Sequence, residues 1–212
     1  MSYRIGIDLD GILADFAKYW TELIRSTLRD TELPVHTHAD LPGYDLQAHY
    51  PDLRGRIKEA RNVFHQIPNV WAYMPSLLSV TQWERLGAQM RGRWEFYFIT
   101  ARQSARRGDS VERQTAGWLS EHLLGAMPFG MDVGPIRVHS CPYDEHVPQK
   151  PEVCRDLGIL VMIDEHPDAV KALVDGGVQC LMQVYPYNEH IDTKGVWRAK
   201  DFDTILDFLE MA

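Results

Sequence analysis

Apolar positions in this chain come in short runs separated by amphipathic stretches. The first run, residues 3 to 9, carries Ile5 and Ile7 and stops at Gly11, which predicts a buried strand. Residues 12 to 29 set Phe16, Tyr19, Trp20, Leu23 and Leu28 at roughly helical spacing, so a helix is expected there. From 30 to 75 the texture changes. Prolines recur at 34, 42, 51, 68 and 75 with aromatics between them, which predicts loops and short helices, one around 52 to 62. Residues 76 to 90 read as a helix opened by Ser76 after Pro75.

The pattern then alternates. "RWEFYFIT" (93 to 100) predicts a strand, and 105 to 124 a helix with Val111, Trp118, Leu119 and Leu123 on one face. "IRVHS" (136 to 140) is a short strand, 151 to 157 a short helix, and "GILVMID" (158 to 164) a strand. "PDAVKALVDGG" has proline at its start and glycine at its end, as a helix should. "QCLMQVY" (179 to 185) is a strand, and 202 to 211 a helix. Strands alternating with helices predict an α/β fold with a parallel sheet. The first strand belongs to that sheet, so residues 1–15 and 93–212 form the expected core domain. Residues 16–92 form a mostly helical cap inserted after strand one.

Composition narrows the functional classes. The chain is 45% hydrophobic and 25% charged over 212 residues, enough for a real core. A net charge of −8 and the lack of a basic tract argue against tight nucleic-acid binding or nucleic-acid end processing. A small anionic substrate stays compatible, because a pocket can be locally positive. Three cysteines, Cys141, Cys154 and Cys180, form no C-x-x-C pair; a disulfide framework is not expected, and a reducing cytoplasmic setting is. The first apolar run is too short for a signal peptide and is broken by Asp8 and Asp10. No segment reaches the ~18 apolar residues of a membrane helix.

In open α/β sheets ligands bind beyond the carboxyl ends of the strands, so the strand ends locate the chemistry. Strand one ends in Asp8-Leu9-Asp10-Gly11, strand two in Thr100-Ala101-Arg102. Lys150 follows the third strand, and the fourth ends in Asp164-Glu165, with Asp168 beyond. This set suits phosphoryl transfer from a monoester. Asp8 can attack phosphorus and form an aspartyl phosphate. Asp10 can protonate the leaving oxygen and later deprotonate water. Gly11 permits a tight turn and keeps bulk away from phosphate. Carboxylates facing an anionic substrate need a cation, and Mg²⁺ suits them. Asp8 and Asp164 are the expected side-chain ligands, with the Asp10 backbone carbonyl. Thr100 and Lys150 would bind the non-bridging oxygens.

"DLDGILADF", "FIT" and the late lysine and acidic cluster resemble the haloacid dehalogenase (HAD) superfamily of phosphatases. "DLDGILADF", "MIDEHPD", "VYPYN" (184 to 188) and a cap of this size resemble more narrowly its 5′(3′)-deoxyribonucleotidases. The resemblance implies a Rossmann-like core with a small helical cap and Mg²⁺-dependent dephosphorylation of nucleoside monophosphates. The roles given above to Asp8, Asp10, Thr100, Lys150 and Asp164 match those it implies. Two departures stand out. Thr-Ala-Arg replaces the family's usual Thr-Ser, making Arg102 an extra cation within reach of phosphate. Asp-Glu replaces Asp-Asp, and the longer Glu165 would reach metal only through water.

Plainer readings compete at each point. The Asp-x-Asp-Gly stretch is no calcium loop, because the positions that would need oxygen ligands are Ile12 and Tyr19. Asp15 reads as a solvent-facing helix residue, and Asp168 as either an orienting residue or a helix-dipole partner. Phe64, Trp71 and Tyr73 could stack on a base, although cap core is the commoner use of such residues. His36, His38, His49 and His65 lack zinc-site spacing, and Cys141 has no recognisable catalytic partner. The rival readings are a phosphatase for another small phosphomonoester, such as a sugar phosphate, and a non-catalytic binding protein on the same fold. The oligomeric state stays open, a homodimer included.

Overall fold

The computed structural model describes residues 3–41, 43, 54–104, 106–128, 131–141, 143, 144, 147–191 and 194–211. His49 and the start of the helix expected from 52 lie outside them. The sheet has six parallel strands: β1 (Tyr3–Ile7), β2 (Trp94–Thr100), β3 (Arg137–Ser140), β4 (Val161–Asp164), β5 (Gln179–Gln183) and β6 (Val196–Ala199). Their order is β3-β2-β1-β4-β5-β6, with Ile5 of central β1 opposite Phe96 on one side and Val161 on the other. The helices are α1 (Phe16–Leu28), α2 (Arg54–Phe64), α3 (Val80–Met90), α4 (Val111–Ala126), α5 (Lys150–Leu157), α6 (Pro167–Asp175) and α7 (Phe202–Met211). A 3₁₀ turn covers Val70–Tyr73, and Tyr143–Asp144 pairs antiparallel with Val147–Pro148 outside the main sheet.

Period-two alternation builds both faces of the sheet. Phe96, Phe98, Ile163 and Leu181 point to one side and meet Leu86 of α3, Trp118 of α4 and Leu206 of α7. Tyr97, Ile99, Met162 and Cys180 point to the other and meet Cys154 of α5 with Val170 and Leu173 of α6. The three cysteines are buried and free, as their number suggested. Gly6 in β1 makes the second layer possible, since a Cβ there would stand 2.5 Å from Met162 Sδ.

Several boundaries moved, for local reasons. β6 was not anticipated. It is a four-residue edge strand with three residues at least partly exposed, too short to stand out in the pattern. Helix α3 starts at Ser79, not Ser76, because Ser79 and Gln82 form a reciprocal capping box. Ser76 instead accepts a hydrogen bond from Trp83 Nε1. Asp15 is buried and not solvent-facing: its Oδ1 accepts from the backbone N–H of Lys18 and of His38, capping α1 and pinning residue 38 to it.

The segment after β1 also divides. α1 and α2 pack on each other through Ile24, Ile57 and Ala60. The chain leaves the core at Asp15, whose N–H bonds Pro75 O, and re-enters at Leu77, whose N–H bonds Leu13 O. Helix α3, expected with the cap, lies in the sheet layer with α4 and α7. Its Trp83, Leu86 and Gly87 are buried there.

Candidate active site

The carboxyl ends of β1, β2 and β4 and the start of α5 meet at a cavity of about 420 Å³, within the usual range for small-ligand sites. Asp8, Asp10, Thr100, Arg102, Lys150 and Glu165 line it from the sheet side, with Phe16, Trp20, Phe64 and Trp71 opposite. Phe16 and Trp20 lie one helical turn apart and stack at 6.2 Å; Phe64 meets both edge-on. The rings were legible as a helix face, but their opening onto the site depends on how α1 and α2 pack.

Asp8 follows directly on β1, its N–H bonded to Ile163 O at 2.9 Å. Lys150 Nζ joins Asp8 Oδ1 at 2.8 Å to Asp164 Oδ2 at 2.6 Å, and all three side chains are almost wholly buried. The other oxygen of Asp164 accepts from His166 N–H at 2.9 Å. Burial, opposed by Lys150 and aided by Asp164 and Asp10, raises the Asp8 carboxyl to about 7. For Lys150, burial alone would favour the neutral amine. The negative charges of Asp164, Asp8 and Glu165 overcome it and hold the ammonium well above its ordinary value.

Glu165 occupies the centre of this arrangement. Its side chain is 1% exposed, and Oε2 takes no hydrogen bond from any described residue. Burial, then Asp8 and Asp164, raise its carboxyl well above the usual range. Oxygens of Asp8, Asp164 and Glu165 lie within 4.8 Å of one another. Sequence pattern placed Glu165 at a distance from any metal; the fold puts it beside the other two acids. Gly11 is the reason it fits. Gly11 has φ +89°, and a Cβ there would lie 2.6 Å from Glu165 Cδ. The glycine makes room for a carboxylate of its own chain.

Asp10 and Arg102 form the second half of the site. Arg102 Nε and Nη2 grip Asp10 Oδ2 and Oδ1 at 2.9 and 2.7 Å, and Nη1 donates to Thr115 Oγ1 at 3.0 Å. Its guanidinium carbon sits 4.8 Å from the Trp71 ring centre. Arg102 was expected on phosphate; the structure spends three of its five donors on Asp10 and Thr115. Thr100 is buried at the end of β2, its Oγ1 accepting from Arg102 N–H.

Phe64 and Trp71 thus line the cavity, but Tyr73 is 61% exposed and does not. Asp168 is exposed in the first turn of α6, away from the cavity lining. Arg61, which motif reading passed over, and His65, which it weighed only as a zinc ligand, are among the lining residues.

The donor set fits a hard divalent cation. Two of the three buried carboxylates share one lysine, and an oxygen of the third, Glu165 Oε2, lacks a partner among the described residues. Such a cluster is costly unless a cation balances it.

No family model matches the chain, and no curated protein matches it. Solved structures do share its fold. A HAD-superfamily hydrolase of subfamily IA from Geobacter sulfurreducens is 14% identical, with TM-score 0.55 over 98% of this chain and 96% of that one. A haloacid dehalogenase-like family hydrolase from Xanthomonas campestris is 15% identical, with TM-score 0.50 over 99% and 95%. A mutant of CbbY from Rhodobacter sphaeroides, in complex with xylulose-1,5-bisphosphate, is 16% identical, with TM-score 0.50 over 95% of each chain. At these identities the likeness is one of fold: a Rossmann-like parallel sheet as in HAD hydrolases.

Proposed function

We propose that this protein is a Mg²⁺-dependent phosphomonoesterase acting through an aspartyl phosphate, with nucleoside monophosphates as substrates. What supports this reading is that Asp8, Asp10, Thr100 and Lys150 line one cavity and that Lys150 bonds both Asp8 and the buried Asp164. Asp8, Asp164 and the Asp10 main-chain carbonyl would hold the ion, with Glu165 as a further donor. When bound, the ion would balance the carboxylates and the charge of the phosphate.

Asp8 attacks phosphorus, and the bond to the ester oxygen breaks. Asp10 gives that oxygen a proton, so the alcohol leaves neutral. Asp10 then takes a proton from water, which attacks phosphorus, frees inorganic phosphate and restores the Asp8 carboxylate. Thr100 Oγ and Lys150 Nζ stabilise the equatorial oxygens. The Arg102 fork holds the Asp10 side chain in place through both proton transfers. Residues 16 to 75 serve as the cap, since the chain leaves and re-enters the core at bonded neighbours. The cap excludes water and selects the substrate. Its aromatic wall suits a nucleobase.

The test is a phosphomonoester panel with Mg²⁺ on wild type and Asp8→Asn. The expected result is turnover led by nucleoside monophosphates and abolished in the variant. Wild-type rates in Asp8→Asn would overturn the covalent mechanism, and equal rates on sugar phosphates would overturn the nucleotide assignment. The sugar-phosphate alternative draws support from Arg61 and His65 on the cavity wall, which give a polar partner to a non-aromatic substrate.

A further inference from the structure

The segment after β5 touches both acidic loops without entering the cavity. Asn188 is fully buried and bonded through both ends of its amide. Nδ2 donates to Glu165 O at 2.8 Å and to Gln183 O at 2.9 Å, while Oδ1 accepts from Tyr185 N–H at 2.7 Å. Tyr185 carries the link onward. Its hydroxyl donates to Gly11 O at 2.7 Å and accepts from Gln183 Nε2 at 2.6 Å. One short stretch therefore grips the main chain of Gly11 and of Glu165. The same two residues face each other, since a Cβ at Gly11 would lie 2.6 Å from Glu165 Cδ.

We infer that Tyr185 and Asn188 are positioning residues that set the spacing between the Asp8–Gly11 loop and the Asp164–Glu165 loop, and thereby the affinity of their carboxylates for a divalent cation. The physical ground is charge. Asp8 and Asp164 bond the same lysine, and Glu165 Oε2 has no described partner. Three buried acids repel one another, and the bonds from Tyr185 and Asn188 add to what Lys150 and the pairing of β1 with β4 supply against that repulsion. The bonds from Tyr185 and Asn188 are short, buried and made to backbone carbonyls, which move with the loop. Outer residues of this kind commonly change metal affinity by about 10- to 100-fold. Neither side chain lines the cavity, so neither touches the reacting atoms.

The inference rests on the carboxylate site proposed above, and one experiment separates the two. Mn²⁺ is titrated into full-length wild type, Tyr185→Phe, Tyr187→Phe and Glu165→Gln, with free ion counted by electron paramagnetic resonance and melting temperature recorded alongside. Tyr187 is the matched control: it stacks on Tyr185 at 5.4 Å, and its hydroxyl faces His38. Wild type is expected to bind one ion, Tyr185→Phe to bind it about 10-fold more weakly, and Tyr187→Phe to match wild type. An unchanged dissociation constant in Tyr185→Phe overturns the inference and leaves the carboxylate site standing. An equal loss in Tyr187→Phe also overturns it, because general softening of the segment would then suffice. No binding by wild type overturns the carboxylate site and the inference with it, and none lost in Glu165→Gln removes Glu165 from the donors and overturns the part of the inference that runs through Asn188.

Discussion

Replacing Gly11 with alanine tests how the two acidic loops share space. Two costs follow from the structure. A side chain at φ +89° is strained in the left-handed region, costing about 1–2 kcal/mol. The new methyl carbon would also lie 2.6 to 2.8 Å from three atoms of the Glu165 side chain, well inside contact distance. Forcing a buried group aside costs about 1–3 kcal/mol. The sum is about 2–5 kcal/mol of stability, or a fall of roughly 4–20 °C in melting temperature for a domain of this size. The two costs separate in a double-mutant cycle. With Glu165→Ala already present the overlap is gone, and Gly11→Ala should cost only the backbone strain. The expected coupling is therefore about 1–3 kcal/mol, read from urea unfolding of the four proteins. Additive effects, within about 0.5 kcal/mol, would refute the claim that Gly11 exists to seat Glu165.

Two further outcomes are expected. His38 is buried, and burial lowers its imidazole from 6.5 to about 4. Between these values the unfolded chain binds the proton and the folded one does not, so stability is full above pH 6.5 and falls as pH drops toward 4. The loss attributable to this residue is on the order of 3 kcal/mol. Urea midpoints at pH 7 and 4.5 should differ less in His38→Gln than in wild type, and equal pH dependence would remove His38 from the account. For Arg102, lysine keeps the charge but cannot grip both oxygens of Asp10. Arg102→Lys should lower kcat for phosphomonoester hydrolysis by about 10-fold or more with little change in melting temperature. Wild-type kcat would show that the fork has no part in turnover.

Much of the molecule could be read from local pattern. Short apolar runs in β2 and β4, the spacing of apolar residues in α4 and the proline and glycine that bound α6 predicted the parallel α/β fold, because burial and end-capping act on the chain locally. Four acids and bases at strand ends pointed to a site, because parallel strands bring their carboxyl ends to one edge. Pattern left open the places where the deciding partner is remote. Arg102 meets Asp10 across 92 residues, and no local feature distinguishes that pairing from a contact with phosphate. Tyr73 and Trp71 share one turn, yet only Trp71 faces the cavity. Glu165 was read by its length, whereas its place is decided by Gly11 and by Asn188, 23 residues on.

Local pattern set most of the strands and helices and the residue types at their ends, since propensity and periodicity act between near neighbours. The assembled fold set how those ends are spent: Lys150 between two acids, Arg102 on the third, Glu165 pressed against a glycine. Charge pairing and excluded volume depend on distance in space, and that distance exists only once the sheet is assembled.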